Sequence, residues 1–162
     1  MKRHFVLDEN VLILAQKMEN DRAKPDETAL QLVRAIDANC HSLVITADCS
    51  QRWAKQLTSA SKAHAPLTPN VMSIVTSLIV NAAKDHRILG PSQIVEIPEL
   101  EGMTGVDEGD RDFVRAAASV ADSILATTDS RLRAALDRHR ITARFRFEAL
   151  DPTNALRLAG PD

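Results

Sequence analysis

Apolar residues along this chain recur at two spacings, and the switches between them mark out the elements. Residues 4–8, His-Phe-Val-Leu-Asp, form a short β-rich run, after which Val11, Leu14, Ala15 and Met18 recur on one helical face. The stretch from Glu19 to Pro25 breaks that pattern. Asp26 then caps a predicted helix with Ala29, Val33 and Ile36 facing inward, and Ser-Leu-Val-Ile-Thr at 42–46 has the composition of a buried strand. Cys49, Trp53 and Leu57 continue as a helical stripe. Thr68-Pro69 joins a good N-cap to the residue favoured in a first helical turn, which predicts a helix over 69–85. Gln-Ile-Val-Glu-Ile at 93–97 reads as a third strand.

Beyond the glycines at 102, 105 and 109, a helix is predicted from Asp110 to Ala121, with Phe113, Val114, Ala117 and Ala121 on one side. Ser-Ile-Leu-Ala-Thr at 123–127 is an apolar strand, and Asp129 caps a helix carrying Leu132, Ala135 and Leu136. Residues 143–150 alternate Phe145, Phe147 and Ala149 against Arg and Glu, as a half-exposed edge strand does. Asp151-Pro152 opens a short last helix. Strands alternating with helices predict an α/β fold: three layers, α/β/α, around a mostly parallel sheet of four to five strands.

With 162 residues, 44% of them hydrophobic, the chain supports one domain over 1–162 with a sizeable core. A net charge of −2 leaves electrostatic recognition to local patches. Six arginines between Arg131 and Arg146 form one such stripe; the ordinary alternative is a solvated helix and edge strand. Cys40 and Cys49 sit in apolar surroundings without metal or redox spacing, so buried, reduced thiols are expected. Trp53 is expected in the core rather than as a stacking platform. Asp8 cuts the apolar run after Lys2-Arg3-His4 far below signal-peptide length, so a cytoplasmic protein is expected. The apolar stretch at 71–83 is well short of the ~20 residues that cross a bilayer and reads as a core helix.

The acids carry the candidate chemistry. Ligands of open α/β sheets bind beyond the carboxyl ends of strands, where Asp8 ends the first strand and Asp129 follows the last buried one. Asp107, Glu108, Asp110 and Asp112 precede a helix that starts near the same edge. Two carboxylates ~4 Å apart repel by about 4 kcal/mol at an effective dielectric near 20, so a cluster must protonate, spread or bind a cation. All-oxygen ligands favour Mg²⁺ or Mn²⁺. Each acid also has a plainer role, since Asp at a strand-to-helix junction is a favoured cap. Asn10 is a candidate cap that would leave Asp8 free, and Glu9 reads as a solvated helix-start acid.

Three stretches carry a family resemblance. Val-Leu-Asp-Glu-Asn-Val at 6–11 resembles the first motif of PIN-domain nucleases, a strand ending in Asp with Asn or Ser two positions on. Residues 110–132 resemble the late motif: an Asp, an alanine-rich helix, an apolar strand and Thr-x-Asp. Residues 147–159 are similar to the closing strand and short helix of such chains, and the nearest flavour is the small prokaryotic PIN proteins, including toxins of toxin–antitoxin pairs. The resemblance implies a metal-dependent endoribonuclease in which Asp8 is the first Mg²⁺ or Mn²⁺ ligand, Asp129 the last and Asp110 or Asp112 the middle one. Family spacing counted back from Asp129 lands on Arg111, between the two. Thr127 would match the late-motif Thr and position Asp129 or the water. RNA would be held along its backbone by Arg131, Arg133 and Arg138, and an antitoxin protein or a second copy of the chain are further partners such a protein would have.

One departure stands out. The family usually carries a Glu on the helix after its second strand, where this sequence has Gln51 or Arg52. Asp48, one turn earlier, is the nearest substitute unless it is a first-turn helix acid, and Glu27 is a weaker one. A catalytically reduced PIN-like fold binding RNA or protein is therefore an alternative. A receiver domain also gathers acids around Mg²⁺ but would carry a Lys just after a late strand. The glycines lack the Lys of a phosphate loop, the five histidines lack ligand spacing, and Ser or Cys nucleophile motifs are absent. With four Phe, one Trp and no Tyr, base stacking is poorly supplied.

Overall fold

The computed structural model describes residues 2–20, 22–63 and 71–160. Four strands form one sheet in the order β2-β1-β3-β4: β1 His4–Leu7, β2 Ser42–Leu43, β3 Ser123–Ala126 and β4 Phe147–Leu150. Every pairing is parallel, with His4 opposite Ser42 on one side and Ser123 on the other. Parallel neighbours cannot be joined by tight turns, so helices fill the crossovers: α1 Glu9–Lys17, α2 Thr28–Ala38, α3 Ala47–Ala63, α4 Val71–Lys84 and α5 Glu108–Ala118 precede β3. Then follow α6 Ser130–Arg138, α7 Ile141–Phe145 and, after β4, α8 Pro152–Ala159. All four residues of β3 are buried, which requires helical cover on both faces and gives the three-layer α/β/α arrangement. Among the described residues no helix is long and apolar enough to cross a membrane.

The core is built where the helical stripes meet the sheet. Phe5, Leu7, Trp53 and Phe113 are among its largest fully buried side chains. Trp53 is core, and its indole Nε1 donates to the Leu7 carbonyl at 2.8 Å, satisfying a polar atom that burial would otherwise strand. That bond ties α3 to the carboxyl end of β1.

Three expectations change. Residues 93–97 are not a strand: Pro91–Gln93 and Pro98–Leu100 are short 3₁₀ turns, and the Val95 N–H donates to Ser119 Oγ at 2.9 Å instead of joining a ladder. The prolines withhold donors and fix turn geometry, so Ile97 and Leu100 bury their side chains from a loop. The sheet-edge pairing falls upstream, as a bridge between Ile45 and Ile88 that extends the β2 path. Residues 143–150 are strand only from Phe147, because α7 occupies Ile141–Phe145 and Arg146 turns left-handed at φ 56°. Within β4 the edge pattern holds, with Phe147 buried and Glu148 exposed. Cys49 is buried, but Cys40 is exposed at the left-handed turn after α2. The Thr68-Pro69 start and the Leu57 side chain lie outside the described part of the molecule.

Candidate functional site

β1 delivers Asp8 to the sheet edge while still in register, its N–H bonded to the Ala126 carbonyl at 3.0 Å. Its carboxylate is 2% exposed. One oxygen accepts the Asn10 N–H at 3.1 Å, so Asp8 and not Asn10 caps α1. The other accepts the Thr127 hydroxyl at 2.6 Å. Burial pushes the Asp8 carboxyl above its ordinary range, the Thr127 and Asn10 bonds oppose this, and the charge of Asp129 adds to it.

Thr127 links two of the acids. It is fully buried just past β3, donates its proton to Asp8 and accepts the Asp129 N–H at 3.1 Å on the same oxygen. Its hydroxyl proton is committed to Asp8, so its contribution is to fix Asp8 and the backbone of residue 129. Asp129 caps α6, accepting from Arg131 N at 2.7 Å and Leu132 N at 3.1 Å, and its second oxygen meets Arg131 Nη2 at 3.3 Å. Burial raises the Asp129 carboxyl, but those donors outweigh burial and hold it below the usual range.

Asp110 joins them from the first turn of α5. Its Oδ2 accepts the Asp107 N–H at 2.9 Å, and burial, with the charges of Asp8, Asp129 and Asp107, pushes its carboxyl up to about 6 against that bond. Asp112, two residues on, lies about 200° around the helix and pairs with Arg52 Nε at 2.8 Å. Of the two acids that spacing left open, Asp110 feels the charges of Asp8 and Asp129, and Asp112 is engaged by Arg52. Asp48 is exposed on α3, and Glu27 starts α2 without a side-chain cap bond.

The acid that sequence reasoning missed is Glu9. It is half-buried, not solvated, and its Oε2 is buried without a hydrogen-bond partner. Burial first, then the charges of Asp8 and Asp110, push its carboxyl up to about 7, against the pull of Arg52. A signal was available: a helix needs one cap, and Asp8 already supplies it, so the doubled acid is surplus to capping.

Asp8, Glu9, Asp110 and Asp129 therefore share one electrostatic field at the carboxyl edge of the sheet. Among the described residues, however, no three His, Cys, Asp or Glu side chains stand close enough together to hold a metal ion. Asp8, Asp110 and Asp129 each turn an oxygen to a backbone N–H at their own helix start. The donor chemistry fits a hard divalent cation: all the atoms are oxygens, three of the four carboxyls are pushed above their ordinary range, and the buried Glu9 Oε2 lacks a donor.

The arginine stripe is largely engaged. Arg131 pairs with Asp129, Arg133 Nη1 donates to the Thr127 carbonyl at 2.7 Å, Arg144 meets Glu99 at 2.6 Å and Arg146 meets Asp122 at 3.0 Å. Arg138 is exposed at the last turn of α6. A cleft of about 350 Å³ reaches the loop after β3 through Thr128 and Arg133, and also meets Asn20, Asp26 and Asp151; the four acids stand outside it. Comparison of the chain with protein-family models, with curated proteins and with solved structures gives no match.

Proposed function

We propose that this protein is a metal-dependent endoribonuclease of the PIN kind, hydrolysing RNA phosphodiesters with Mg²⁺ or Mn²⁺ at the sheet edge. The observation that carries the reading is the Asp8–Thr127–Asp129 chain of hydrogen bonds, electrostatically coupled to Asp110 and Glu9 at the end of the sheet where parallel sheets bind ligands. Asp8, Asp110 and Asp129 are the ligands this reading assigns, with Glu9 beside them, and holding a cation would require their side chains to close up from the arrangement described, in which, among the described residues, no three acids reach one ion. The chemistry a bound cation would supply is a lowered pKa for a water and an offset to the charge building on the phosphate. Thr127 keeps the Asp8 carboxylate aimed and, by accepting the Asp129 N–H, ties the start of α6 to the end of β1. A toxin of a toxin–antitoxin pair is the cellular setting this reading favours.

A noncatalytic RNA- or protein-binding module is the second reading, favoured by the absence, among the described residues, of three acids within reach of one ion. Incubating the protein with single-stranded and transfer RNA, in Mn²⁺, Mg²⁺ or chelator, beside Asp8→Asn, separates the two. The nuclease gives cleavage that chelator abolishes and that Asp8→Asn lowers at least about a hundredfold, more than loss of an outer-shell partner costs. Equal residual degradation by wild type and variant rejects the enzyme and leaves the binding module.

A further inference from the structure

We propose that Arg52 is a phosphate-binding residue of this site, its terminal guanidinium nitrogens receiving a backbone phosphate of RNA beside Glu9 and Asp110. The inference rests on the nucleic-acid substrate of the reading above. Arg52 is one of the two residues, with Gln51, at the place where the resemblance leads one to expect an acid, and its surroundings suit a cation. Its Nε donates to Asp112 Oδ2 at 2.8 Å, a side-on attachment that uses one of five N–H donors. No hydrogen bond involving its Nη1 or Nη2 is present among the described residues. About a third of the side chain is exposed, so the fork is reachable from solvent.

Gly109 makes room for that fork. A Cβ at position 109 would stand 3.2 Å from Arg52 Nη1, 3.7 Å from Cζ and 3.8 Å from Glu9 Oε1. The guanidinium and the Glu9 carboxylate thus flank the residue that immediately precedes Asp110. A phosphate approaching four carboxylates meets net repulsion, and a guanidinium at the rim supplies both the opposite charge and the paired donors that phosphate oxygens accept. Arg131 and Arg133 each engage a terminal nitrogen, Arg131 Nη2 on Asp129 and Arg133 Nη1 on the Thr127 carbonyl, whereas Arg52 is attached through Nε. Asp112 anchors Arg52 from behind, which explains why that acid faces away from the cluster.

The test measures binding and cleavage separately on the full chain. A short fluorescein-labelled single-stranded RNA is titrated by anisotropy in chelator, over a salt series, against wild type, Arg52→Met, Arg52→Lys and Asp112→Asn, with melting curves to confirm folding. Arg52→Met should bind about tenfold more weakly, as loss of a charged hydrogen bond predicts, and its salt slope should fall by about 1. Arg52→Lys should lie between, and Asp112→Asn, which keeps the guanidinium, should bind as well as wild type or better. Unchanged affinity and slope in Arg52→Met, equal damage from Asp112→Asn, or no RNA binding by wild type overturns the assignment. In the cleavage arm, Arg52→Glu in Mn²⁺ should cut more slowly; faster cutting would mean that a lost metal ligand was restored, and also overturns it. Wild type that binds through Arg52 without cutting in any metal rejects the nuclease and leaves Arg52 as assigned.

Discussion

The two ends of the sheet treat charge in opposite ways. At the amino-terminal end, cations and anions meet: Lys2 with Asp85 at 2.6 Å, the Ser42 hydroxyl on the same carboxylate, and Arg146 with Asp122 at 3.0 Å. At the carboxyl-terminal end, Asp8, Glu9, Asp110 and Asp129 are answered by backbone N–H groups, one hydroxyl, and Arg131 and Arg52 at the margin. The carboxyls respond accordingly. Asp85 is held below its ordinary range, chiefly by its bond from Lys2, whereas burial drives Glu9 and Asp110 up. Balanced charge serves only to close a sheet edge. Surplus charge of one sign, retained against its cost, is what a binding or reacting site requires.

Thr127→Val attacks the contrast most directly. It leaves a buried Asp8 oxygen without its donor and frees the Asp129 N–H, so unfolding free energy should fall by about 1–3 kcal/mol, read from denaturant titration. A loss no larger than that of an exposed site would mean that solvent reaches Asp8.

A smaller effect separates the ends by pH. Glu9 ionises near 4.5 when unfolded and near about 7 when folded, so below pH 4.5 both states are neutral and wild type should match Glu9→Gln. Between pH 4.5 and 7 the unfolded state alone ionises, and wild type loses stability relative to the variant. The melting temperature of Glu9→Gln should therefore rise above that of wild type across this window and stay above it. Asp110, raised to about 6 from 3.8, adds to the same decline in the wild-type curve. At the other end His4 works in the opposite sense, since burial and Arg87 lower its pKa from 6.5 and its contribution improves as pH rises. Comparing Glu9→Gln with wild type at each pH removes that background.

The smallest effect belongs to the balanced end. Asp122→Asn breaks a pair whose side chains are 67% and 74% exposed, and should change stability by less than about 0.5 kcal/mol at moderate salt. A larger loss would show that pairing at this edge holds the sheet together.

Local rules made much of this legible. A strand ending in Asp and followed by helical spacing placed Asp8, and Thr-x-Asp after an apolar run placed Thr127 and Asp129, because strand ends and caps are written in adjacent residues. Residues 93–97 misled because their composition is that of a strand while the flanking Pro91 and Pro98 decide the geometry. The edge strand was shortened by Arg146, whose left-handed turn leaves no mark on an alternating pattern. Spacing could not choose between Asp110 and Asp112, since the choice is made by Arg52, sixty positions away in sequence. Glu9 was misread because its burial depends on α3, which packs against α1, and on the approach of Gly109 at the start of α5.

The indole bond from Trp53 to the Leu7 carbonyl places the protein's single tryptophan one peptide unit from Asp8. Whatever perturbs that strand end alters the polarity felt by the ring. The chain thus contains a built-in optical gauge: a change at the Asp8 strand end, made by Thr127→Val or by an ion added to the acidic edge, should shift its ultraviolet emission without any label being attached.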